Sequence, residues 1–220
     1  MSLRIFIKFP TFVHMNQIKH SVQGYLGAFG CFILVVSFFS FQFSRLEQME
    51  WINLNHSVFF DYFFIAITNS AEIILPLSFL AFLYFKKRSL LRPYFFSYLG
   101  STLLVQILKN ILFADSLRPI LYLKSAAIQW HLIDGLAINE MNSFPSGHTN
   151  AAWWMYFWMA YLSPNRFTGF LFGFLAFLVA YSRIYLFQHF PIDTLFGAIL
   201  GCSGSFLAYY LLVFKKEKHA

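Results

Sequence analysis

The chain has 220 residues and a formal net charge of +7; 59% of it is hydrophobic, 22% aromatic and only 11% charged. A water-facing domain carries about 25% charged residues, so this composition excludes a soluble cytosolic enzyme, a disordered tail and a nucleic-acid-binding arm. A mean hydropathy of +0.60 names lipid as the solvent.

A hydrocarbon core about 30 Å thick needs about 20 apolar residues of helix. The first such run is Val22–Phe43. It follows a basic leader with Arg4, Lys8 and Lys19, as in a secretory signal, but it is too long for a signal's apolar region and no small-residue cleavage site follows. It reads as a retained span. Further runs are Phe63–Phe85, Tyr94–Phe113, Thr149–Leu162, Phe167–Phe187 and Ile192–Phe214. The fourth is short, and starting it at Pro145 or Ser146 brings it near the lower limit. The expected fold is therefore one all-α integral membrane domain over 1–220, with six transmembrane helices. Residues 1–21 form a cytoplasmic N-terminal segment, and 114–145 form the one long loop. Cys31 and Cys202 both sit in apolar stretches and read as small hydrophobes.

Basic residues set the orientation. With six spans, Arg4, Lys8, Lys19, Lys86, Lys87, Arg88, Arg92, Arg166, Lys215, Lys216 and Lys218 share one side. The other side holds Arg45, Lys109, Arg118, Lys124 and Arg183. Positive-inside then puts both termini in the cytoplasm and the 114–145 loop outside, so much of the net charge is topological.

The outer basic residues go against that rule and need another cause. Lys109 near the end of the third run and Arg183 near the end of the fifth are costly charges, which by default face a partner or a wet cavity. On the same side the fourth run opens with Pro145-Ser146-Gly147-His148, and Ser182-Arg183 is followed at intervals by His189 and Asp193. Both the fourth and the sixth helix thus begin on the outer face, each with a proline close by. A helix start offers unpaired N–H groups and the positive end of the dipole, an anion site. Ser146 and Gly147 let the backbone approach a ligand, while Lys109, Arg118 and Arg183 add donors suited to phosphate oxygens. His189 and Asp193 are four apart at a helix start, so the carboxylate can fix the imidazole tautomer and leave the other nitrogen free to attack. His148 is then left to protonate the departing oxygen.

Lys109…Arg118-Pro119, Pro145-Ser146-Gly147-His148 and Ser182-Arg183…His189…Asp193 together resemble the three-part signature of the phosphatidic acid phosphatase type 2 superfamily. The second and third parts match in full. The first departs, because the interval Asn110 to Leu117 is longer than the family's usual one. The resemblance implies six spans and a metal-independent, cofactor-free hydrolysis of a lipid phosphate or diphosphate. It implies His189 as the nucleophile that forms a phosphohistidine, Asp193 as its orienter and His148 as the general acid. Lys109, Arg118, Ser146, Gly147 and Arg183 hold the phosphoryl oxygens. The implied partners are the bilayer and a phosphorylated lipid: undecaprenyl diphosphate, a lipid A phosphate, phosphatidylglycerol phosphate or phosphatidic acid. The implied location is a cytoplasmic membrane, with the site on its outer, periplasmic side.

Two alternatives stay open at this level. His131, His148 and His189 could hold zinc with an open position, and the cradle could belong to a non-catalytic lipid-binding or transport protein. Glu72, an acid midway along the second run beside Asn69 and Ser70, reads equally as a packing partner or as a group that handles substrate or protons. Asp61, Lys124, Asp134 and Glu140 read as loop charges, and Trp51, Trp130, Trp153 and Trp154 as an interfacial belt. Sidedness is directly testable. Cysteines placed at Lys124 or Asp134 are expected to react with a membrane-impermeant thiol reagent in intact cells, and those at Lys87 or Lys216 only after lysis. Labelling at Lys87 but not Lys124 inverts the topology.

Overall fold

The computed structural model describes residues 18–72 and 74–214. Arg4 and Lys8 of the basic leader, and Lys215, Lys216, Glu217 and Lys218 of the tail, lie outside the described residues. Every element among those described is helical. In chain order they are α1 (His20–Gln42), α2 (Arg45–Leu54), α3 (Val58–Asn69), α4 (Ile74–Lys86) and a 3-10 turn (Arg88–Leu90). Then come α5 (Leu91–Ile107), continued by a π turn (Leu108–Leu112), the short α6 (Pro119–Tyr122), α7 (Gly147–Leu162), α8 (Arg166–Tyr185), and α9 (Pro191–Tyr209) with a π turn (Tyr210–Phe214).

Among the described residues, four helical stretches are long and apolar enough to cross a membrane: His20–Gln42, Arg88–Leu112, Arg166–Tyr185 and Pro191–Phe214. The second apolar run, expected as one continuous helix over Phe63–Phe85, is instead two shorter ones, α3 and α4, which meet at a break around Ser70, Ala71 and Glu72. Helix α7 has 16 residues. At 1.5 Å per residue that is about 24 Å, and its shortness has a place in the architecture: it is the central helix. It packs against α1, α5, α8 and α9, so neighbours surround it on every side.

That position overturns the belt reading for two tryptophans. Trp153 is 0% and Trp154 2% exposed, because α7 has no lipid-facing side there. Their amphipathic rings find partners inside: Trp154 Nε1 and Trp158 Nε1 each donate to Ser97 Oγ at 3.0 Å. Tyr25 of α1 donates its hydroxyl to the Trp153 carbonyl, and its ring meets Trp153 edge-on at 5.4 Å. Trp51, by contrast, is exposed. The two cysteines are unpaired, Cys202 buried in the core and Cys31 exposed on the apolar α1.

Contacts define two ends of the bundle. At one, Lys19 bonds the Tyr161 carbonyl and Arg166 bonds Gln23. At the other, Ser57 pairs with Tyr185, and Arg45 lies over the rings of Tyr122 and Phe190 at 4.9 and 4.8 Å. The 114–144 loop is fastened to this second end. Asn53 exchanges two 2.9 Å bonds with the backbone of His131, and His131 Nε2 lies 3.0 Å from Asp61 Oδ2. Asp61 also accepts from the Tyr185 hydroxyl at 2.6 Å. Asp61 is thus no loop charge. It lies in the first turn of α3, buried, and clamps the loop to α8.

Helices α7 and α9 approach closely. A Cβ on Gly197 would lie 2.4 Å from the Ser146 carbonyl oxygen, and one on Gly201 2.2 Å from that of Asn150. Only hydrogen fits, and the close approach brings the starts of the two helices together. Gly197→Ala or Gly201→Ala is expected to force them apart and cost about 1–3 kcal/mol, as overpacking does, seen as a lower thermal midpoint in detergent. Gly100→Ala, where no atom lies within 4 Å, is the matched control and leaves the midpoint unchanged or higher.

Candidate active site

The end of α8 explains why arginine and histidine recur at their spacing in the third motif. Phe187 N–H bonds the Ile184 carbonyl, and both Gln188 N–H and His189 N–H reach back to the Arg183 carbonyl. With Phe187 at φ +59°, this is the Schellman ending, in which a left-handed residue turns the chain back over the last helical turn. Glycine is usual there. Phenylalanine is held in place because its side chain is fully buried against Trp130, ring to ring at 5.1 Å. The backward turn sets His189 above Arg183. Pro191 then opens α9 at its first position, which puts Asp193 beside His189.

Asp193 is 3% exposed, and its Oδ2 accepts from Ser143 Oγ at 2.6 Å and from Phe190 N at 2.9 Å. His189 Nδ1 lies 3.6 Å from the same oxygen, within ion-pair range but longer than a hydrogen bond. His189 itself is 1% exposed. It lies between the spanning helices, and its pKa is pushed down from 6.5 to about 3, chiefly by burial, with Arg118 and Arg183 adding to the fall and Asp193 opposing it. The imidazole is therefore neutral at ordinary pH, with a lone pair available.

The cations converge on this pair. Arg183 is buried; its Nη1 donates to Thr68 Oγ1 of α3 at 2.9 Å, and its Nε has no hydrogen-bond partner. An unpaired buried donor is costly unless a ligand is meant for it. Arg118, also buried, donates Nε to the Met141 carbonyl at 3.0 Å, and Nη1 to the carbonyl and the side-chain oxygen of Gln188 at 3.1 and 2.9 Å. Part of its donor set thus serves to fasten the loop to the His189 turn. Lys109, in the π turn that ends α5, lies within electrostatic reach of Arg118, Arg183 and Asp193. The π turn, one residue wider than an α turn, overlaps the start of the longer Lys109-to-Arg118 interval noted in the sequence.

The second motif is arranged differently from the expectation in one respect. Ser146 is the N-cap of α7: its Oγ accepts from Thr149 N and Thr149 Oγ1 at 3.4 and 2.9 Å. Its own N–H bonds the Asp193 carbonyl at 3.0 Å. The serine is fully buried and bonds α7 to α9, so the donors left facing outward belong to the first helical turn, Gly147 and His148. Pro145 precedes the cap rather than opening the helix. His148 is half-buried, and its Nε2 lies 3.1 Å from Glu72 Oε1 at the α3–α4 break. His148 also lies within electrostatic reach of Arg183 and Lys109.

Lys109, Arg118, Ser146, Gly147, His148, Arg183, His189 and Asp193 thus collect at one end of the bundle, from α5, the loop, α7, α8 and α9. Sequence reasoning missed Thr68, Ser143 and Gln188, whose partners are set by tertiary packing and leave no local signal. His131 belongs instead to the Asp61 clamp, and among the described residues no three His, Cys, Asp or Glu side chains converge as a metal site.

A fold of short and long apolar helices with a cationic, histidine-bearing site at one end defines a class of membrane protein. The PAP2 superfamily model matches residues 90–217, and the chain belongs to that family. It resembles the crystal structure of Aquifex aeolicus LpxE, with a TM-score of 0.64 at 24% identity over 77% of this chain and 97% of that one. It also resembles the first transmembrane PAP2-type phosphatidylglycerolphosphate phosphatase from Bacillus subtilis, with a TM-score of 0.59 at 20% identity over 88% and 96%. At these identities the likeness is one of fold. No curated protein matches the sequence. The family and its apolar helices together make this an integral membrane protein.

Burial of neutral His189 has a consequence for stability. The unfolded chain takes up its proton near pH 6.5, whereas the folded one does so only near 3. Below the unfolded value the unfolded state therefore binds more protons, and stability falls as pH drops through that window. The thermal midpoint of the detergent-solubilised protein is expected to fall from pH 6.5 towards 4, and the slope to be shallower in His189→Gln. Equal slopes would mean that His189 is not buried neutral.

Proposed function

We propose that the chain is a metal-independent membrane phosphatase that hydrolyses a phosphate or diphosphate of a lipid through a phosphohistidine. The observation that carries the reading is the pairing of buried, neutral His189 with Asp193 beside the unpaired guanidinium nitrogen of Arg183. A nucleophile with a free lone pair and a desolvated donor for oxyanions are the two things phosphoryl transfer needs from a protein.

In this mechanism a phosphoryl group lies among Arg183, Arg118, Lys109 and the first-turn amides of Gly147 and His148, with Ser146 fixing that turn. His189 attacks phosphorus, and as the P–N bond forms, the bond to the lipid oxygen breaks. His148 gives that oxygen its proton. Now neutral, it takes a proton from water, whose oxygen attacks the phosphohistidine, releases inorganic phosphate and restores His189. Asp193 holds the imidazole orientation and offsets its charge in the intermediate. The rest of the reading is a domain spanning 1–220 and crossing a cytoplasmic membrane six times, with α3 and α4 together forming one crossing. Both termini are cytoplasmic and the site is at the outer face. It rests on the partition of basic residues and on the site lying at the end opposite Lys19 and Arg166. A lipid substrate fits a site at helix ends near the interface. Undecaprenyl diphosphate, lipid A phosphates, phosphatidylglycerol phosphate and phosphatidic acid are the panel to test.

Purified protein is expected to release phosphate from at least one of these four lipids with EDTA present, and to be inhibited by vanadate. His189→Ala is expected to abolish turnover. His148→Ala is expected to slow lipid cleavage by about 10²–10⁴-fold, the usual worth of a general acid, but to slow nitrophenyl phosphate far less, because that leaving group needs no proton. Acid-labile label on His189 after a rapid quench identifies the intermediate. Binding of a lipid without hydrolysis by the wild type would mark a transport or binding protein. Activity lost to EDTA and restored by zinc would revive a metal site.

A further inference from the structure

The second apolar run breaks its helix at an acid. Helix α3 ends at Asn69, α4 starts at Ile74, and Glu72 lies in the turn between them. The turn does not need the carboxylate. Its hydrogen bonds are made by Ser70 Oγ, to the Ile67 carbonyl at 2.7 Å and the Tyr156 hydroxyl at 2.9 Å, and by the backbone, where Ala71 and Glu72 N–H reach Thr68 and Asn69. A carboxylate within an apolar run is costly and calls for a partner or a wet cavity. Glu72 has both. Its Oε1 lies 3.1 Å from His148 Nε2, and the two side chains share the wall of a cavity of about 530 Å³ with Gly147, Tyr94, Tyr98 and Trp154. Residue 72 also lies outside the stretch 90–217 that the family model matches.

We propose that Glu72 is a positioning residue for His148. The carboxylate accepts the Nε2–H of the imidazole, fixes the ring's tautomer and orientation, and balances the positive charge of the imidazolium. This inference rests on the phosphatase reading for its catalytic meaning. The charged groups that face His148 are Glu72 from the α3–α4 break, Arg183 from α8 and Lys109 from the π turn after α5. Two of the three are cations that repel a proton on the ring, and Glu72 is the one that attracts it. With Nε2–H held by Glu72, the proton that moves is the one on Nδ1. It passes to the lipid oxygen as the P–O bond breaks, leaving a neutral ring still bonded to Glu72. In the second half-reaction Nδ1 takes a proton from the attacking water, and the cycle closes with no net change at Glu72.

The site therefore holds two imidazole–carboxylate pairs on different elements. His189–Asp193 is local, four residues apart, whereas His148–Glu72 joins residues 76 apart in sequence. The second pair exists only because the helix breaks where it does.

The test uses the full chain in detergent or vesicles with the isosteric Glu72→Gln, Glu72→Asp and the wild type. Glu72→Gln keeps the shape and the turn but removes the charge. Its kcat on a lipid phosphate is expected to fall at least about tenfold, and by no more than the about 10²–10⁴-fold that a general acid contributes. Its rate on nitrophenyl phosphate is expected to change far less, and the alkaline limb of the kcat profile to move to lower pH. Glu72→Asp is expected to recover part of the rate and of the pH profile. In the His148→Ala background, Glu72→Gln is expected to add no further loss. A structural role for Glu72 would instead lower both substrates alike and leave the pH limb in place, which overturns the proposal. The His148 ring nitrogen signals, followed by NMR against pH in wild type and Glu72→Gln, report on the pair without turnover. An unmoved titration overturns the pairing. A moved titration in a protein that releases no phosphate keeps the pairing and overturns the phosphatase reading instead.

Discussion

The carboxylate of Asp193 is the point on which the site depends. One buried oxygen takes the hydroxyl of Ser143 from the loop and the amide of Phe190 from the turn before α9, and faces the imidazole of His189. Its backbone carbonyl takes the amide of Ser146, the cap of α7. Two stretches far apart in sequence, 143–146 and 189–193, are thus tied to one residue. A buried charge without partners would be expelled or neutralised; here two hydrogen bonds and the nearby cations meet the cost, and the same bonds fix where α7 begins relative to α9. The close glycine contacts of α9 make that geometry possible, and the carboxylate makes it specific.

The cations follow a related rule. Arg118 and Arg183 are both buried, yet among the described residues neither has a carboxylate at bonding distance. Their guanidinium groups are held instead by neutral acceptors, Met141, Gln188 and Thr68. Neutral acceptors orient a guanidinium without cancelling its field, so the positive potential remains for an incoming anion. In a water-poor setting that potential is much stronger than at a wet surface. In the proposed mechanism such a site is already charged and oriented before substrate arrives.

Much of this was legible in the sequence, and the reasons for the exceptions are physical. Long apolar runs, the partition of Lys and Arg and the three motifs are local signals, and they located α1, α5, α8, α9 and each motif residue that gathers at the site. The break between α3 and α4 was not read from the sequence, although Thr68, Asn69, Ser70 and Glu72 mark its place, because the long apolar flanks outweigh them and the one proline, Pro76, comes after the break. What holds the break is partly tertiary: Ser70 bonds Tyr156 of α7. Trp153 and Trp154 misled for a similar reason. Aromatic residues near a span end look interfacial until one knows that their helix is the central one. Asp61 was read as a loop charge because its partners, His131 and Tyr185, lie 70 and 124 positions away. Ser146 was read as a phosphate ligand from its motif; that its hydroxyl oxygen also accepts from Thr149 and caps α7 was not read.

The two acid–imidazole pairs differ in a way that fits the different tasks the proposed mechanism gives them. The side chains of His189 and Asp193 are 2% and 5% exposed, those of His148 and Glu72 34% and 49%. A nucleophile must keep its lone pair free of protons, and burial among cations does this without any motion of the protein. A proton donor that acts once in each half-reaction must instead recover its proton from water, so it has to stand at an opening. If both pairs were sealed, the acid would be cut off from water after the first step; if both were open, His189 would be protonated and its attack blocked at mildly acidic pH. In that mechanism the nucleophile's carboxylate comes from the first turn of the helix that follows it, and the acid's carboxylate from across the bundle, in the break between α3 and α4. The asymmetry of burial, more than the identity of the residues, is what distinguishes the two histidines: one is sealed among cations, the other stands at a cavity beside a carboxylate.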